Sequence, residues 1–342
     1  MLYPLFRPLL FGLDPETAHD IALAALDAAA ALGVAQLVAP RVAASPVSAM
    51  GLTFPNRVGL AAGLDKNAAH IDGLATLGFG FIECGTVTPR PQSGNAKPRL
   101  FRLPQAQALI NRLGFNNSGV ERFLANVARA RYGPKSGAIL GLNIGRNFDT
   151  PNERAVDDYL GCLRAVHASA SYVTINVSSP NTAGLRELQD AALEPLLAAL
   201  KSEQAQLAQA QGKYTPLVVK IAPDLAPADL DRIARTLVAL AIDGVIATNT
   251  TADHDAVAAL PHGNESGGLS GAPLKERSTA AIRRLAKALD GALPIIGVGG
   301  ILSGDDAREK IAAGATLVQV YTGLIYRGPE LVAEIAEALA RP

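Results

Sequence analysis

The sequence has few of the residues that form disulfide frameworks or histidine metal sites. It contains only two cysteines, Cys84 and Cys162, whose spacing gives neither a disulfide framework nor a set of metal ligands. The five histidines are scattered, and no two of them form an H-x-x-x-H pair. We therefore expect no bound metal and a reducing, cytosolic setting.

The chain also lacks an excess of charge of either sign. Lys+Arg and Asp+Glu number 31 each, so the formal net charge is zero, and no basic run is present. Nucleic acid is for that reason not expected as a partner. A content of 49% hydrophobic and 18% charged residues is typical of a folded protein, and 342 residues could form one large barrel or two domains.

A third absence is a long, uninterrupted apolar run. The most apolar N-terminal stretch, Thr17–Leu32, contains Asp20 and Asp27, whereas a membrane-spanning helix needs about 20 predominantly apolar residues. A signal peptide is not expected either, because Arg7 is the only early charge and no cleavage-like site follows it.

Two short helices are nevertheless predicted at this end of the chain. The first has an apolar face at helical spacing and is interrupted by Pro4 and Pro8. The second begins with Asp14 as its cap and Pro15 in its first turn, and it ends near Gly33. The apolar face consists of Leu2, Leu5, Phe6, Leu9 and Leu10. Such helices either pack on the main domain or form a membrane-surface patch or a collar around a hydrophobic tunnel.

After Pro55, short apolar runs alternate with helical stretches, which implies parallel βαβ units. Eight such strands imply an α/β fold of the (β/α)8 TIM barrel type, with a doubly wound open sheet as the alternative. The predicted strands are Val58–Ala62, Gly80–Cys84, Ala138–Ile144, Tyr172–Val177, Leu217–Ile221, Gly244–Thr248, Ile295–Val298 and Thr316–Val320. The clearest helices are Ala191–Gln211, Pro227–Leu240, Ser278–Leu289 and Gly304–Ala313. Two long connections, Gly85–Ser118 and Thr250–Arg277, are expected to shape a site.

The carboxyl ends of the predicted strands indicate the chemistry, because active sites of barrels lie there. Nearly all the residues are amides, hydroxyls, glycines or lysines, and Asp65 is the sole acid. Glycoside hydrolysis requires two carboxylates and a magnesium site several, so neither is expected. These ends are residues 62–66, Gly85, Thr86, Asn143, Asn176, Ser179, Asn181, Lys220, residues 248–250, Gly299, Gly300, Tyr321 and Thr322. They suit a planar, hydrogen-bonding and partly anionic ligand.

Glycine-rich turns follow the last two strands, at residues 297–300 and 321–323. Barrels commonly hold a phosphate there, because glycines let backbone amides approach an anion; ordinary turn glycines are the alternative. Lys66 and Lys220 either point into solvent or stabilise an electron-rich ring or a carboxylate.

The segment Tyr172–Arg186 combines an apolar strand with a polar turn. Pro180 ends the strand because it has no amide hydrogen and restricts the residue before it. Asn176, Ser179 and Asn181 are left at the end of the strand. From these residues alone, an ordinary turn and a functional loop are both open.

Ten stretches carry a further pattern, in the order AAGLDKNA, ECGTVTPRPQSGNAKPRLFRL, INRLGFNN, LNIGRN, INVSSPNTAGLRELQ, VVKIAPDL, DGVIATNTT, GGLSGAPL, IIGVGGI and LVQVYTGLIYRGP. From about Pro55 to the C-terminus they closely resemble the dihydroorotate dehydrogenase family. The N-terminal helices resemble those of its quinone-dependent class 2 branch. The soluble class 1 branch has no such helices. Ser179 stands where the family has its catalytic base, a serine in class 2 and a cysteine in class 1.

The resemblance implies FMN-dependent oxidation of (S)-dihydroorotate to orotate, with a membrane quinone as acceptor, in de novo pyrimidine (UMP) biosynthesis. Ser179 would take a proton from ring carbon 5 while a hydride leaves carbon 6. FMN contacts would fall on Ala62, Gly63, Lys66, Thr86, Asn143, Asn176, Lys220, Thr248, Gly271, Gly300, Tyr321 and Thr322. Contacts to dihydroorotate or orotate would fall on Lys66, Asn111, Arg112, Leu113, Gly114, Phe115, Asn176, Asn181, Asn249 and Thr250.

A serine hydroxyl is a poor base at neutral pH and needs help. No histidine or carboxylate adjoins Ser179 in the sequence. A relay of water or hydroxyl groups is therefore expected, with Thr182 or Thr250 as candidate members.

The resemblance also implies two regions and a location. Residues 1–45 would be a helical region that associates with the membrane and forms a quinone tunnel, and residues 46–342 the FMN-binding barrel. The protein would contact the lipid bilayer peripherally, on the cytoplasmic side of a bacterial inner membrane. The oligomeric state stays open, a monomer included.

Two other functions stay open at this point. The first is a phosphate-binding barrel without activity, or an interaction module. The second is another FMN barrel oxidoreductase, one that acts on a different pyrimidine or uses fumarate or NAD. The fold alone does not separate these, whereas Ser179 and the N-terminal helices favour the quinone-dependent branch.

Overall fold

A computed structural model describes residues 3–35 and 41–340 of the chain. The strands are β1 (Val47–Ala49), β2 (Leu52–Phe54), β3 (Val58–Leu60), β4 (Phe81–Val87), β5 (Leu100–Leu103), β6 (Ala108–Asn111), β7 (Ile139–Ile144), β8 (Tyr172–Asn176), β9 (Leu217–Ile221), β10 (Gly244–Ala247), β11 (Gly268–Gly271), β12 (Ile295–Val298) and β13 (Leu317–Val320). The α-helices are α1 (Tyr3–Phe11), α2 (Pro15–Ala31), α3 (Ile71–Ala75), α4 (Gly119–Arg129), α5 (Ala155–Val166), α6 (Leu193–Gln211), α7 (Pro227–Ala239), α8 (Lys275–Leu289), α9 (Gly304–Ala312), α10 (Thr322–Arg327) and α11 (Glu330–Ala340).

Eight parallel strands close into a barrel in the order β3-β4-β7-β8-β9-β10-β12-β13, with β13 paired to β3. Every residue of these strands is buried, since side chains fill the barrel and helices cover its outside. The (β/α)8 prediction is therefore confirmed and the open sheet is excluded. The predicted strands and helices differ from the observed bounds by at most three residues at either end.

The amino end of the barrel is plugged by aromatic side chains. The hairpin β1–β2 lies across this end, and the ring of Phe54 meets that of Phe81 edge to face with the centroids 5.1 Å apart. Gly59 makes room for this packing, because a Cβ there would lie 2.3 Å from the ring of Phe81. Side chains of the hairpin and of β4 thus fill this end of the barrel.

The two long connections fold together over the carboxyl end of the barrel. The first contributes β5 and β6 and the second contributes β11, and they form one antiparallel sheet in the order β11-β6-β5. Asn111, the last residue of β6, pairs with Leu100 on one side and with Gly268 on the other. Residues far apart in the sequence are thereby brought to one wall.

The N-terminal helices pack on the barrel with one side. Thr17 donates its amide hydrogen to the Asp14 carboxylate over 3.0 Å, so the predicted cap of α2 is confirmed. Glu16 pairs with Arg99 through two hydrogen bonds of 2.8 and 3.1 Å, and Asp27 contacts the His70 ring at 2.6 Å. Packing on the main domain, one of the two alternatives, is therefore present.

The prediction that prolines interrupt the first helix is wrong. Helix α1 runs through Pro8, and Pro4 lies in its first turn, where the amide has no helical partner in any case. Leu2 of the predicted apolar face lies outside the described residues, whereas Leu5 and Leu9 are 70% and 71% exposed. No helix in the described part of the chain is both long and apolar enough to cross a membrane.

Candidate active site

A cavity with about 960 Å³ of empty space opens at the carboxyl ends of the barrel strands. Its floor is formed by strand ends, and β6 and β11 of the antiparallel sheet contribute to its wall. All but two of the predicted site residues line it. They are Ala62, Gly63, Lys66, Thr86, Asn111, Leu113, Gly114, Phe115, Asn176, Ser179, Asn181, Lys220, Thr248, Asn249, Thr250, Gly271, Gly300, Tyr321 and Thr322.

The two remaining predicted residues, Asn143 and Arg112, do not line this cavity. Asn143 is fully buried behind Thr86, whose hydroxyl donates to the Asn143 carbonyl oxygen over 2.6 Å. The Arg112 guanidinium bonds to Glu265 at 2.8 Å and lies 4.7 Å from the ring centre of Phe101. Asn143 can thus influence a ligand through Thr86. The Arg112 side chain stabilises the wall from the side that faces away from the cavity.

Amide side chains meet at the ends of β8 and β10. The Asn176 carbonyl oxygen accepts from both the amide and the hydroxyl of Ser178. Asn249 donates to the same hydroxyl over 3.0 Å. On the wall, Asn181 donates to Asn111 over 3.1 Å. These bonds hold four carboxamides in fixed orientations around one space, as recognition of a ring with alternating donors and acceptors requires.

Ser179 lies within this group and is 5% exposed. Its hydroxyl oxygen accepts from the backbone amide of Asn181 over 3.2 Å. No histidine or carboxylate of the described residues is hydrogen-bonded to it. Three residues further on, the Thr182 hydroxyl is buried and has no hydrogen-bond partner among the residues that the structure describes, which leaves it free for a bound water.

Two lysines contribute positive charge to the cavity. Lys66 is half-buried and donates to the carbonyl of Gly63 over 2.8 Å, and burial lowers the pKa of its ammonium to about 8. Burial also lowers the pKa of Lys220, against the opposing effect of the Glu83 charge. Lys220 donates no hydrogen bond to any described residue, so its charge is available to a ligand.

The glycine turn after β12 has a conformation that suits an anion. Gly299 and Gly300 have φ angles of +116° and +70° and line the cavity. Within the described ranges, neither of their amides donates to a protein acceptor. A Cβ at Gly300 would lie 2.4 Å from the Lys275 Cα, so the close packing here requires glycine.

A second cavity lies between α2 and the barrel. It has about 630 Å³ of empty space, and Glu16, His19 and Leu23 of α2 contribute to its wall. Burial lowers the pKa of His19 to about 4, so its ring is neutral at pH 7. Lys66, Leu113 and Tyr321 line both cavities, so the space under α2 adjoins the barrel mouth at these side chains.

Several residues of the site were not predicted from the sequence. Gln319 and Ser270 line the main cavity. Glu83 is fully buried inside the barrel below it and accepts a hydrogen bond from the Tyr172 hydroxyl at 2.9 Å. Strand alternation is the signal that could have indicated Glu83, because Phe81, two residues earlier, faces the same interior.

Comparison with known proteins gives one consistent result. Residues 45–342 match the dihydroorotate dehydrogenase family. The chain is 62% identical to the dihydroorotate dehydrogenase (quinone) of Thiobacillus denitrificans over 100% of both chains. It is 63% identical to the enzyme of that name from Chromobacterium violaceum, over 100% of this chain and 98% of the relative.

Solved structures agree with these relatives. The crystal structure of the DHODH of Eimeria tenella in complex with ferulenol is 38% identical, with a TM-score of 0.85 over 97% of this chain and 93% of that one. The prediction of an oxidoreductase of the quinone-dependent class is thereby confirmed. The chain belongs to the dihydroorotate dehydrogenase family, in its quinone-dependent branch.

Proposed function

We propose that the protein catalyses the FMN-dependent oxidation of (S)-dihydroorotate to orotate in de novo pyrimidine (UMP) biosynthesis, with a membrane quinone as electron acceptor. The observation that carries this proposal is the pair of adjoining cavities. The first is lined by carboxamides and lysines, the second lies beneath α2, and Lys66, Leu113 and Tyr321 line both. A reduced centre in the first cavity would be close to an acceptor in the second.

The main cavity suits FMN by its unpaired polar groups. The free amides of Gly299 and Gly300 would hold the phosphate, together with Thr322. Lys220, a buried cation that donates no hydrogen bond within the described part of the chain, suits the electron-rich ring. FMN bound there would supply the hydride acceptor and the electron carrier of the reaction. The other proposed contacts are Ala62, Gly63, Lys66, Thr86, Asn176, Thr248, Gly271 and Tyr321, with Asn143 acting through Thr86.

The pyrimidine would lie against the carboxamides. Asn111, Asn176, Asn181 and Asn249 offer donors and acceptors to its ring, and the Lys66 ammonium would pair with its carboxylate. Leu113, Gly114, Phe115 and Thr250 would complete the pocket.

Ser179 would act as the base that takes a proton from ring carbon 5. Its low exposure keeps bulk water away, and its hydrogen bond with the Asn181 amide holds the hydroxyl oxygen in place. The buried, unpartnered Thr182 hydroxyl would pass the proton on through a water.

The N-terminal region would deliver the quinone. Residues 1–45 would form the membrane-associating, tunnel-bearing region and residues 46–342 the catalytic barrel. The exposed leucines of α1 provide an apolar surface that can enter the headgroup region of a bilayer. Peripheral attachment on the cytoplasmic side of the inner membrane is part of this proposal, and the exposed apolar side chains of α1 support the attachment.

Orotate binding is predicted to weaken at alkaline pH through Lys66. Its pKa is lowered to about 8, and a bound carboxylate stabilises the cationic form. Affinity should therefore be full below about pH 8 and then fall with rising pH, by up to about tenfold per unit. Titrations of orotate from pH 6 to 10 measure this. In Lys66→Met the affinity should be weaker at pH 7, and the step near pH 8 should be absent; an unchanged pH dependence would contradict the role of Lys66.

Substitution of Gly300 by alanine is predicted to weaken FMN binding about tenfold, which corresponds to about 1.4 kcal/mol. The added Cβ would collide with Lys275 and displace the turn. Fluorescence titration of the apoprotein with FMN measures the affinity. Gly291→Ala is the matched control, because Gly291 has a similar φ of +79° with nothing within 4 Å. Equal FMN affinity of the two variants would argue against a phosphate at this turn.

The proposal as a whole is tested on the purified protein. It should contain about one FMN per chain, and anaerobic addition of dihydroorotate should bleach the flavin absorbance while orotate forms in equal amount. A colourless protein, or a flavin that dihydroorotate does not reduce, would refute it.

A further inference from the structure

Glu83 is a buried carboxylate to which the proposed reaction assigns no part. It lies inside the barrel with no exposed surface. Its Oε1 accepts from the Asn143 side-chain amide at 2.8 Å. Its Oε2 accepts from the Gln319 amide and the Tyr172 hydroxyl, each at 2.9 Å. An amide NH2 group can only donate, so both oxygens of Glu83 act as acceptors.

A directed chain of hydrogen bonds leads from this carboxylate to the cavity. Because the Asn143 NH2 group faces Glu83, its carbonyl oxygen faces Thr86 and accepts from that hydroxyl at 2.6 Å. The Thr86 oxygen accepts from the Asn176 NH2 group at 2.8 Å. Each link thus determines the orientation of the next one.

The chain of hydrogen bonds continues beyond Asn176 with the same donor-to-acceptor direction. The carbonyl oxygen of Asn176 accepts from the Ser178 hydroxyl at 2.9 Å, and the Ser178 oxygen accepts from Asn249 at 3.0 Å. Both lone pairs of the Asn176 carbonyl oxygen are occupied, because the Ser178 amide donates to it as well. Asn176 can therefore offer a ligand only one free N–H group.

We propose that Glu83 is a positioning residue that fixes the orientation of the Asn176 and Asn249 carboxamides and so selects a ligand with a carbonyl oxygen facing Asn176. The proposal rests on the pyrimidine-binding function proposed above. Without an acceptor at Glu83, the Asn143 amide can rotate, and the rotation propagates through Thr86 to the ligand-facing groups. The negative charge of Glu83 also offsets part of the burial penalty on Lys220.

Two substitutions of Glu83 separate the effect of its hydrogen-bond acceptors from the effect of its negative charge. Glu83→Met removes both oxygens and should weaken orotate binding by the flavin-loaded protein about tenfold, the value of a hydrogen bond to a charged group. Glu83→Gln keeps one oxygen for Asn143. Its NH2 group can face Tyr172 and Gln319, because the side-chain oxygen of Gln319 is buried with no partner in the described ranges and can turn to accept a hydrogen bond. Its affinity should stay within about threefold of wild type. Equal losses in both variants would assign the effect to charge and overturn the proposal.

A double substitution tests whether the effect of Glu83 reaches the ligand through Thr86. Thr86→Val cuts the chain between Asn143 and Asn176, so adding Glu83→Met to it should change orotate affinity by less than about twofold. A further tenfold loss would show that Glu83 acts elsewhere or only on folding, and would overturn the proposal. If Glu83→Met does not fold, Asn143→Ala replaces it. This substitution should weaken orotate binding in the wild-type protein and change the affinity by less than about twofold in Thr86→Val.

The failures of the two proposals are distinguishable. A wild-type protein that does not bind orotate would refute the proposed function. A wild-type protein that binds orotate, together with a Glu83→Met variant of equal affinity, would refute only the positioning role.

Discussion

Replacement of Ser179 by alanine should slow reduction of the bound flavin by dihydroorotate by a factor of about 10² to 10⁴, the usual contribution of a general base. The hydroxyl is buried in the cavity wall, and none of the described residues hydrogen-bonded to it is charged. FMN content should stay at the wild-type level, because the free amides and Lys220 that would hold the cofactor are untouched. Anaerobic stopped-flow absorbance measures the rate directly.

Ser270→Ala is the matched control for this substitution. Its hydroxyl lines the same cavity and accepts from Thr322 at 2.8 Å, but it lies on the wall formed by β11. We expect a loss of less than about tenfold there, since one ordinary hydrogen bond contributes about 1 kcal/mol. A near-normal rate of flavin reduction in Ser179→Ala would remove Ser179 from the role of base.

The second large effect concerns the exposed face of α1. Changing Leu5 and Leu9 together to glutamate should reduce binding to phospholipid vesicles by at least about 100-fold, because two leucine side chains would no longer enter the bilayer. Both side chains are about 70% exposed and make no contribution to the buried core, so the barrel should be unaffected. Vesicle sedimentation and turnover with a long-chain quinone in the vesicles measure the effect.

Controls distinguish the membrane surface from the quinone cavity. Gln206→Glu together with Gln209→Glu adds the same charge on α6 and should leave vesicle binding intact.

Deletion of residues 1–39 removes the wall of the second cavity as well and should abolish quinone turnover, while dihydroorotate still bleaches the flavin. Sustained quinone turnover by the deleted protein would contradict the tunnel.

Sequence reasoning predicted the local parts of this molecule well. Alternating apolar runs determine the barrel strands, because both faces of each strand are buried. Pro180 marks the end of β8, and barrel geometry then assigns Asn176 and Ser179 to the mouth. Such inferences require only the chain near each residue and one rule about where strand ends meet.

The remaining features depend on contacts between distant parts of the chain. The sheet of β5, β6 and β11 joins residues about 160 positions apart, and no local pattern encodes that pairing. Arg112 shares a stretch with residues that line the cavity, yet its guanidinium is bound by Glu265 on the outer side. Glu83 lies within β4, so the rule that site residues stand at strand ends does not indicate it.

One measurement tests the central claim most directly. The flavin is first reduced anaerobically with one equivalent of dihydroorotate, and the reduced protein is then mixed with a quinone, with fumarate or with NAD. We expect bleaching with formation of orotate, followed by rapid return of the flavin absorbance with the quinone only. Reoxidation by fumarate or NAD at a comparable rate, or no bleaching by dihydroorotate, would contradict the account.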